Sequence, residues 1–262
     1  MELETIAYEV VANVAHIRFN RPDDANAVNP QFARDIRAAT LEAHYDDDVR
    51  VVLVSAAGRV FCAGGDLKEF HQAGNRLPSV ASDMLTDFHG AIYRLHRMTK
   101  PVVAAVGGAA GGAGMSIMCS FDLVVASENA KFTMAYTRAG VTPDGTSTYF
   151  LARHVGLRRA LDLTLTNRVL TATEAEQWGL VNRVVPKGEA DQAATAIANE
   201  LASGPAWAIG HAKRLIYEGF DSSLEESGER EMHAITQSMA MHDGQEGIAA
   251  FVEKRAAEFD GS

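Results

Sequence analysis

The chain has 262 residues, 47% of them hydrophobic and 22% charged, enough to bury one large core and to carry an appendage on it. Its formal charge of -10 and the lack of any Lys/Arg run longer than a pair argue against a nucleic-acid partner, whose phosphates would be repelled. Two cysteines, Cys62 and Cys119, exclude a disulfide framework and a CxxC metal cluster and fit a reducing cytoplasm.

The opening MELETIAYEV lacks the basic and apolar regions of a secretory signal. TIAYEVVANVAHIRF alternates and is rich in β-branched residues, which predicts a hairpin with Ala15, Ile17 and Phe19 on one face. A helix follows, with Asn29 as N-cap, Pro30 in the first position, and Phe32 and Ile36 on its apolar side. The continuous apolar run at 49–56 predicts a strand buried on both faces.

Residues 80–98 place Leu85, Phe88, Ile92 and Leu95 at helical spacing, with His89 on the margin of the stripe. The segment 101–121 carries no charge over the length of a membrane span, but five glycines break it into a buried strand, a glycine loop and a buried helix. Short strands follow in DLVVAS and KFTM, then a turn at Pro143-Asp144-Gly145 and a helix through Tyr149 to Arg153. Beyond residue 156 the pattern is mostly helical, with a capping-box signature at Thr171 and Glu174 and one further strand in VNRVV. Alternating strands and helices predict an α/β core over 1–200, with a helical region over 201–262.

Two glycine stretches, RVFCAGGDLKEF and GGAAGGAGMS, each follow a predicted strand and lead into a helix, so each can present unspent backbone N–H groups. Together they could form an oxyanion hole for a thioester carbonyl that becomes an enolate. Taken alone, the glycines serve equally for tight turns, whereas a dinucleotide loop would require an acid about 20 residues on at the end of a second strand, which GGAAGGAG lacks; Asp144 alone reads first as a turn residue.

The segments NRPDDANAV (20–28), FCAGGDL (61–67), AVGGAAGGAG (105–114), AKF (130–132) and EGIAAFVEKRAAEF (246–259), in order along the whole chain, resemble the crotonase, or enoyl-CoA hydratase/isomerase, superfamily. The resemblance implies an acyl-CoA enzyme built as a spiral of ββα units with a helical C-terminal trimerisation region, found as a homotrimer or homohexamer. It implies that the N–H groups of Gly65 and Ala113 bind the thioester oxygen. It further implies that Ala27 and the segment Ala63, Gly64, Gly65, Asp66 and Leu67 line the channel for coenzyme A, which enters as part of the substrate. Arg21, Lys68, Lys254 and Arg255 are the candidate cations for its phosphates. Neither a metal nor a redox cofactor is indicated, and neither is a membrane partner.

The chain departs from the hydratase pattern at two places. Hydratases use two glutamates, and the matching positions here are Ser116 and Tyr136, whose hydroxyls are neutral near pH 7. Both are expected to face the acyl group as contacts, and ordinary hydration is not expected. Asp144 instead matches an aspartate used by two branches of the superfamily: isomerases, where it moves a proton, and 4-chlorobenzoyl-CoA dehalogenase, where it is the nucleophile. His89 matches the histidine of the second branch, although Tyr136 stands where that enzyme has tryptophan. The expectation is double-bond isomerisation with Asp144 as general acid and base. The alternatives are dehalogenase-like hydrolysis with Asp144 as nucleophile and His89 as base, and an acyl-CoA-binding protein without catalysis.

Overall fold

The computed structural model describes residues 3–262. Strands β1 (Ile6–Val11) and β2 (Val14–Phe19) form the expected antiparallel hairpin, turned through Ala12 and Asn13 with φ of 49° and 63°. Two positive φ angles are what a two-residue turn needs to match the strand twist. Ala15, Ile17 and Phe19 are fully buried against helix α1 (Pro30–Tyr45), whose first turn is held by the Asn29 side chain accepting from the Phe32 N–H.

The chain then repeats one unit three times: a strand in a large sheet, a short strand in a second sheet, and a helical segment. The first unit is β3 (Val51–Ala56), β4 (Val60–Cys62), α2 (Leu67–Ala73) and α3 (Leu77–Arg97). The second is β5 (Val102–Val106), β6 (Ala109–Gly111) and α4 (Ala113–Met118), and the third is β7 (Leu123–Ser127), β8 (Lys131–Thr133) and α5 (Ser147–Val155). The charge-free stretch 101–121 thus divides between strands and a short helix, and among the described residues no helix is long and apolar enough to cross a membrane.

After α6 (Leu157–Thr166) come β9 (Leu170–Thr171), α7 (Ala172–Gln177), β10 (Arg183–Val185) and α8 (Ala190–Ala202). The large sheet has the order β1-β2-β3-β5-β7-β10, parallel except for the hairpin; the small one has the order β4-β6-β8-β9. Thr171 and Glu174 close a complete capping box on α7, as their spacing predicts. The parallel strands are apolar on both sides because both sides are covered. One face meets the main core, and the other packs Val51, Leu53, Val103, Ala105 and Val125 against Ala190, Ala194, Ala198 and Ala202, a four-residue repeat of small side chains along α8.

Three helices end the chain: α9 (Ala206–Gly219), α10 (Leu224–Ala240) and α11 (His242–Glu253). Lys213 anchors α9: its Nζ lies 2.8 Å from Asp122 Oδ2 and donates to the carbonyls of Leu95 and Lys100. In contrast, α10 and α11 leave Leu224, Ile248, Phe251 and Val252 exposed.

Candidate active site

The site is assembled where the helical ends of the three units meet. His89 stands on α3 at the edge of the buried stripe formed by Phe88, Ile92 and Leu95, and its Nε2 lies 2.8 Å from Asp144 Oδ1. The two side chains are 28% and 25% exposed, so solvent or substrate reaches both. With the proton on Nε2, the imidazole donates to the carboxylate. The carboxylate therefore reaches across to α3 instead of closing its own turn. That task falls to the Asp144 carbonyl, which accepts from the Ser147 hydroxyl at 2.9 Å, the Ser147 N–H at 3.3 Å and the Tyr136 hydroxyl at 3.2 Å.

Gly145 makes this loop possible. Its φ is +62°, and a Cβ there would lie 2.8 Å from Ser116 Cβ and 3.2 Å from Phe88, so only glycine lets the backbone pass between α4 and α3.

Ser116 corrects the expectation of a substrate contact. It is fully buried, and its hydroxyl lies 3.1 Å from the Gly112 carbonyl and 2.8 Å from the Tyr136 hydroxyl, with one proton to give to either. The reason is local: a serine inside a helix readily bonds the carbonyl one turn before it. Burial, more than the nearby Asp144 charge, pushes the Tyr136 phenol well above its ordinary range, although the Ser116 hydrogen bond opposes the shift. Tyr136 stays protonated and supports the Asp144 loop from below.

The two glycine loops lie against each other. The Ala63 N–H donates to the Ala25 carbonyl, Val28 N–H to Gly64 and Asp66 N–H to Val28, which brings Ala27, Ala63, Gly64, Gly65, Asp66 and Leu67 together. The Gly112 N–H is spent on Thr133, but among the described residues neither Gly65 nor Ala113 donates its N–H to a protein acceptor. Gly114 sets the spacing, since a Cβ on it would run into the Cys62 carbonyl. Gly114→Ala is therefore expected to force α4 away from β4, costing about 1–3 kcal/mol of stability by overpacking and lowering turnover, as urea unfolding and initial rates would measure.

The candidate cations divide. Arg21 is locked to Asp24 at 2.9 Å, Asp66 at 3.2 Å and the Ala27 carbonyl, so its charge is already answered. Asp66 in turn caps α2 by accepting from the Glu69 N–H at 3.2 Å. Arg255 is taken by Glu246 and Glu253, whereas Lys68 and Lys254 are exposed with no carboxylate within 4.0 Å among the described residues. Sequence reasoning missed Asn26. It is fully buried with φ of 52°; its amide donates to the carbonyls of Ala57 and Val60 and its oxygen accepts from the Arg21 N–H, pinning the 20–28 loop. Its place in ANAV, next to a residue of the channel, was the available signal.

With this geometry in view, residues 9–262 match the family model described as enoyl-CoA hydratase/isomerase. The chain belongs to that family. Its members act on acyl-CoA thioesters. The chain is 36% identical to 4-chlorobenzoyl coenzyme A dehalogenase-2 of an Arthrobacter species, over 95% of this chain and 91% of that one. It is 31% identical to 1,2-epoxyphenylacetyl-CoA isomerase of Escherichia coli, over 99% of both. The crystal structure of an enoyl-CoA hydratase from Polaromonas sp. JS666 superposes with a TM-score of 0.93 at 31% identity, covering 97% of this chain and 99% of that one. Three chemistries are thus named among similar members, so the side chains of this site must choose between them.

Farther along α3, burial and the charges of Lys213, Arg214, Arg97 and Arg153 push the His96 imidazole down to about 4. An unfolded chain takes up this proton near pH 6.5 and the folded chain only near 4, so the stability contribution of neutral His96 is lost as pH falls through that window. In urea titrations between pH 7 and 4, wild type is expected to lose more stability than His96→Phe.

Proposed function

We propose that this chain is a cytoplasmic enzyme that shifts a double bond in an unsaturated acyl-CoA, with Asp144 as the single proton carrier. The N–H groups of Gly65 and Ala113 donate to the thioester oxygen. The Asp144 carboxylate removes a proton from a carbon conjugated to that thioester, and the electron pair moves into a dienolate whose charge rests on the oxygen. Asp144, partly exposed, exchanges that proton with solvent and delivers one to the other end of the dienolate, so the composition of the substrate is unchanged overall. His89 orients the carboxylate and holds it off its own turn. The observation that carries the reading is the Asp144 carboxylate, partnered among the described residues by His89 alone and partly exposed, at a site whose other two candidate positions hold only the hydroxyls of Ser116 and Tyr136.

The 2.8 Å approach of His89 Nε2 to Asp144 also favours a second reading. On an acyl group with a leaving group on an activated ring carbon, an Asp144 oxygen bonds to that carbon and the leaving group departs. His89 then takes a proton from the water that opens the resulting ester. The similarity to the Arthrobacter dehalogenase supports this route.

Mass spectrometry of 3-enoyl, 2-enoyl and 4-chlorobenzoyl thioesters in deuterated buffer separates the possibilities. Isomerisation shows as deuterium uptake without gain of water. Chloride release moves the nucleophilic reading to first place, and water added to a 2-enoyl substrate overturns both. Binding without conversion of any thioester would point to a protein that only binds acyl-CoA. The exposed Ile248, Phe251 and Val252 of α11 further support assembly as a homotrimer or homohexamer, which light scattering would measure.

A further inference from the structure

His89, Tyr93 and Arg97 recur every fourth residue on α3, so they share one face of the helix, whose backbone rises about 12 Å from the first to the last of them. A hollow of about 540 Å³ opens over the far half of that face. His96 and Tyr217, with ring centres 4.2 Å apart, form part of its lining together with Tyr93, Tyr149 and Thr146, which is two residues past Asp144. His89 and Asp144 do not line the hollow themselves; Tyr93 links the two, its ring centre 5.9 Å from that of His89.

Its charge is opposite to that of the whole chain. Arg97, Arg214 and Arg230 line it, and Arg153 stacks 3.5 Å from the centre of the Tyr149 ring. Against these four guanidiniums stand two carboxylates, Glu218 and Asp221. Glu218 is shared by Arg214 and Arg230, and Asp221 by Arg153 and the Tyr149 hydroxyl. The lining itself holds three arginines and two carboxylates, an excess of one positive charge in a chain of formal charge -10, with Arg153 beside it. Arg97 is the arginine left over: among the described residues no carboxylate lies within 4.0 Å of it, and its guanidinium carbon is 5.5 Å from the Tyr93 ring centre. Burial first, and then the charges of Lys213, Arg214, Arg97 and Arg153, depress His96 in the wall of the hollow.

We infer that this hollow is a specificity pocket for the far end of the acyl group, and that Arg97 receives a second carboxylate there. The preferred substrates are then CoA thioesters of dicarboxylic acids long enough for the distal carboxylate to reach Arg97 while the reacting carbons lie at the dyad. Aromatic walls take the chain or ring between the two ends, and a neutral tail leaves the Arg97 charge without a partner. The inference rests on Asp144 and His89 marking the reaction centre.

The test compares an ω-carboxyacyl-CoA with its methyl ester by calorimetry, using Asp144→Asn so that binding is read without turnover. The carboxylate is expected to bind about tenfold more tightly, the change that one charge-assisted hydrogen bond supplies. Arg97→Met should erase the preference, and Arg97→Glu should reverse it in favour of an amino-terminated thioester. Arg97 is exposed, so these variants are expected to fold; circular dichroism and thermal melting confirm it. Equal affinity for acid and ester in the parent, or a preference that survives Arg97→Met, overturns the proposal. So does loss of free coenzyme A binding in Arg97→Met, which would assign the arginine to the cofactor phosphates. The proton-carrier reading fails separately: it falls if no thioester turns over in the wild-type enzyme, whatever the affinities show.

Discussion

Asp144→Asn is expected to lower turnover by about 10²- to 10⁴-fold, the range that one positioned acid-base group supplies, with acyl-CoA affinity nearly unchanged. Asparagine keeps the size of aspartate and can still meet His89 Nε2 through its amide oxygen, so the loop held by Ser147 and Tyr136 should stand. What it lacks is a basic oxygen to take up a proton. Deuterium uptake into the acyl carbons should therefore vanish together with turnover. His89→Gln separates the two chemistries further. If Asp144 only shuttles a proton, this variant retains partial activity, since the carboxylate survives and loses only its orienting partner. If Asp144 is a nucleophile, the variant should trap a covalent acyl-group adduct on Asp144, visible as added protein mass, because the water that releases it has lost its base. Unchanged turnover in Asp144→Asn would remove both readings.

The parts of this fold that were legible in sequence are those set by near neighbours along the chain. Asn29 before Pro30, and Thr171 three residues before Glu174, announce helix starts because the cap and its N–H lie within one turn. Strands β3 and β5 showed as unbroken apolar runs because α8 covers their second face, but the alanine stripe that covers them looked like an ordinary helix pattern. The site was less legible. Asp144 and His89 are 55 positions apart, and in isolation one was a turn residue and the other the edge of a stripe. Only the family resemblance brought them together. Ser116 shows the limit of that resemblance. The resemblance sets it where a hydratase has a glutamate, whereas its short hydroxyl turns inward to its own helix and to Tyr136. Asn26, buried and left-handed, had no local signal strong enough to mark it as the pin of the channel loop.

The largest effect on stability is expected at Lys213, far from the chemistry in sequence but beneath the wall of the arginine-rimmed hollow. Burial pushes the Asp122 carboxyl up and the Lys213 ammonium down, and their mutual attraction opposes each shift. Such a pair contributes little over a well-packed neutral one, whereas leaving one partner alone costs about 3–5 kcal/mol. Lys213→Met should therefore lower the urea unfolding free energy by about that amount, because Asp122 keeps only the Val102 N–H and the Tyr217 hydroxyl as donors. Adding Asp122→Asn should restore part of the loss, since the amide oxygen can accept one of these hydrogen bonds without carrying a charge. The pH dependence distinguishes this from a simple packing defect. In Lys213→Met the lone carboxyl binds its proton more tightly folded than unfolded, so the deficit should shrink as pH falls toward 4; in the double variant it should not. Because Tyr217 and Arg214 ride on the same helix, loosening α9 should weaken the preference for a carboxylate tail before it affects deuterium exchange at the dyad. An equal loss of both would mean that α9 supports Asp144 as directly as it supports the hollow.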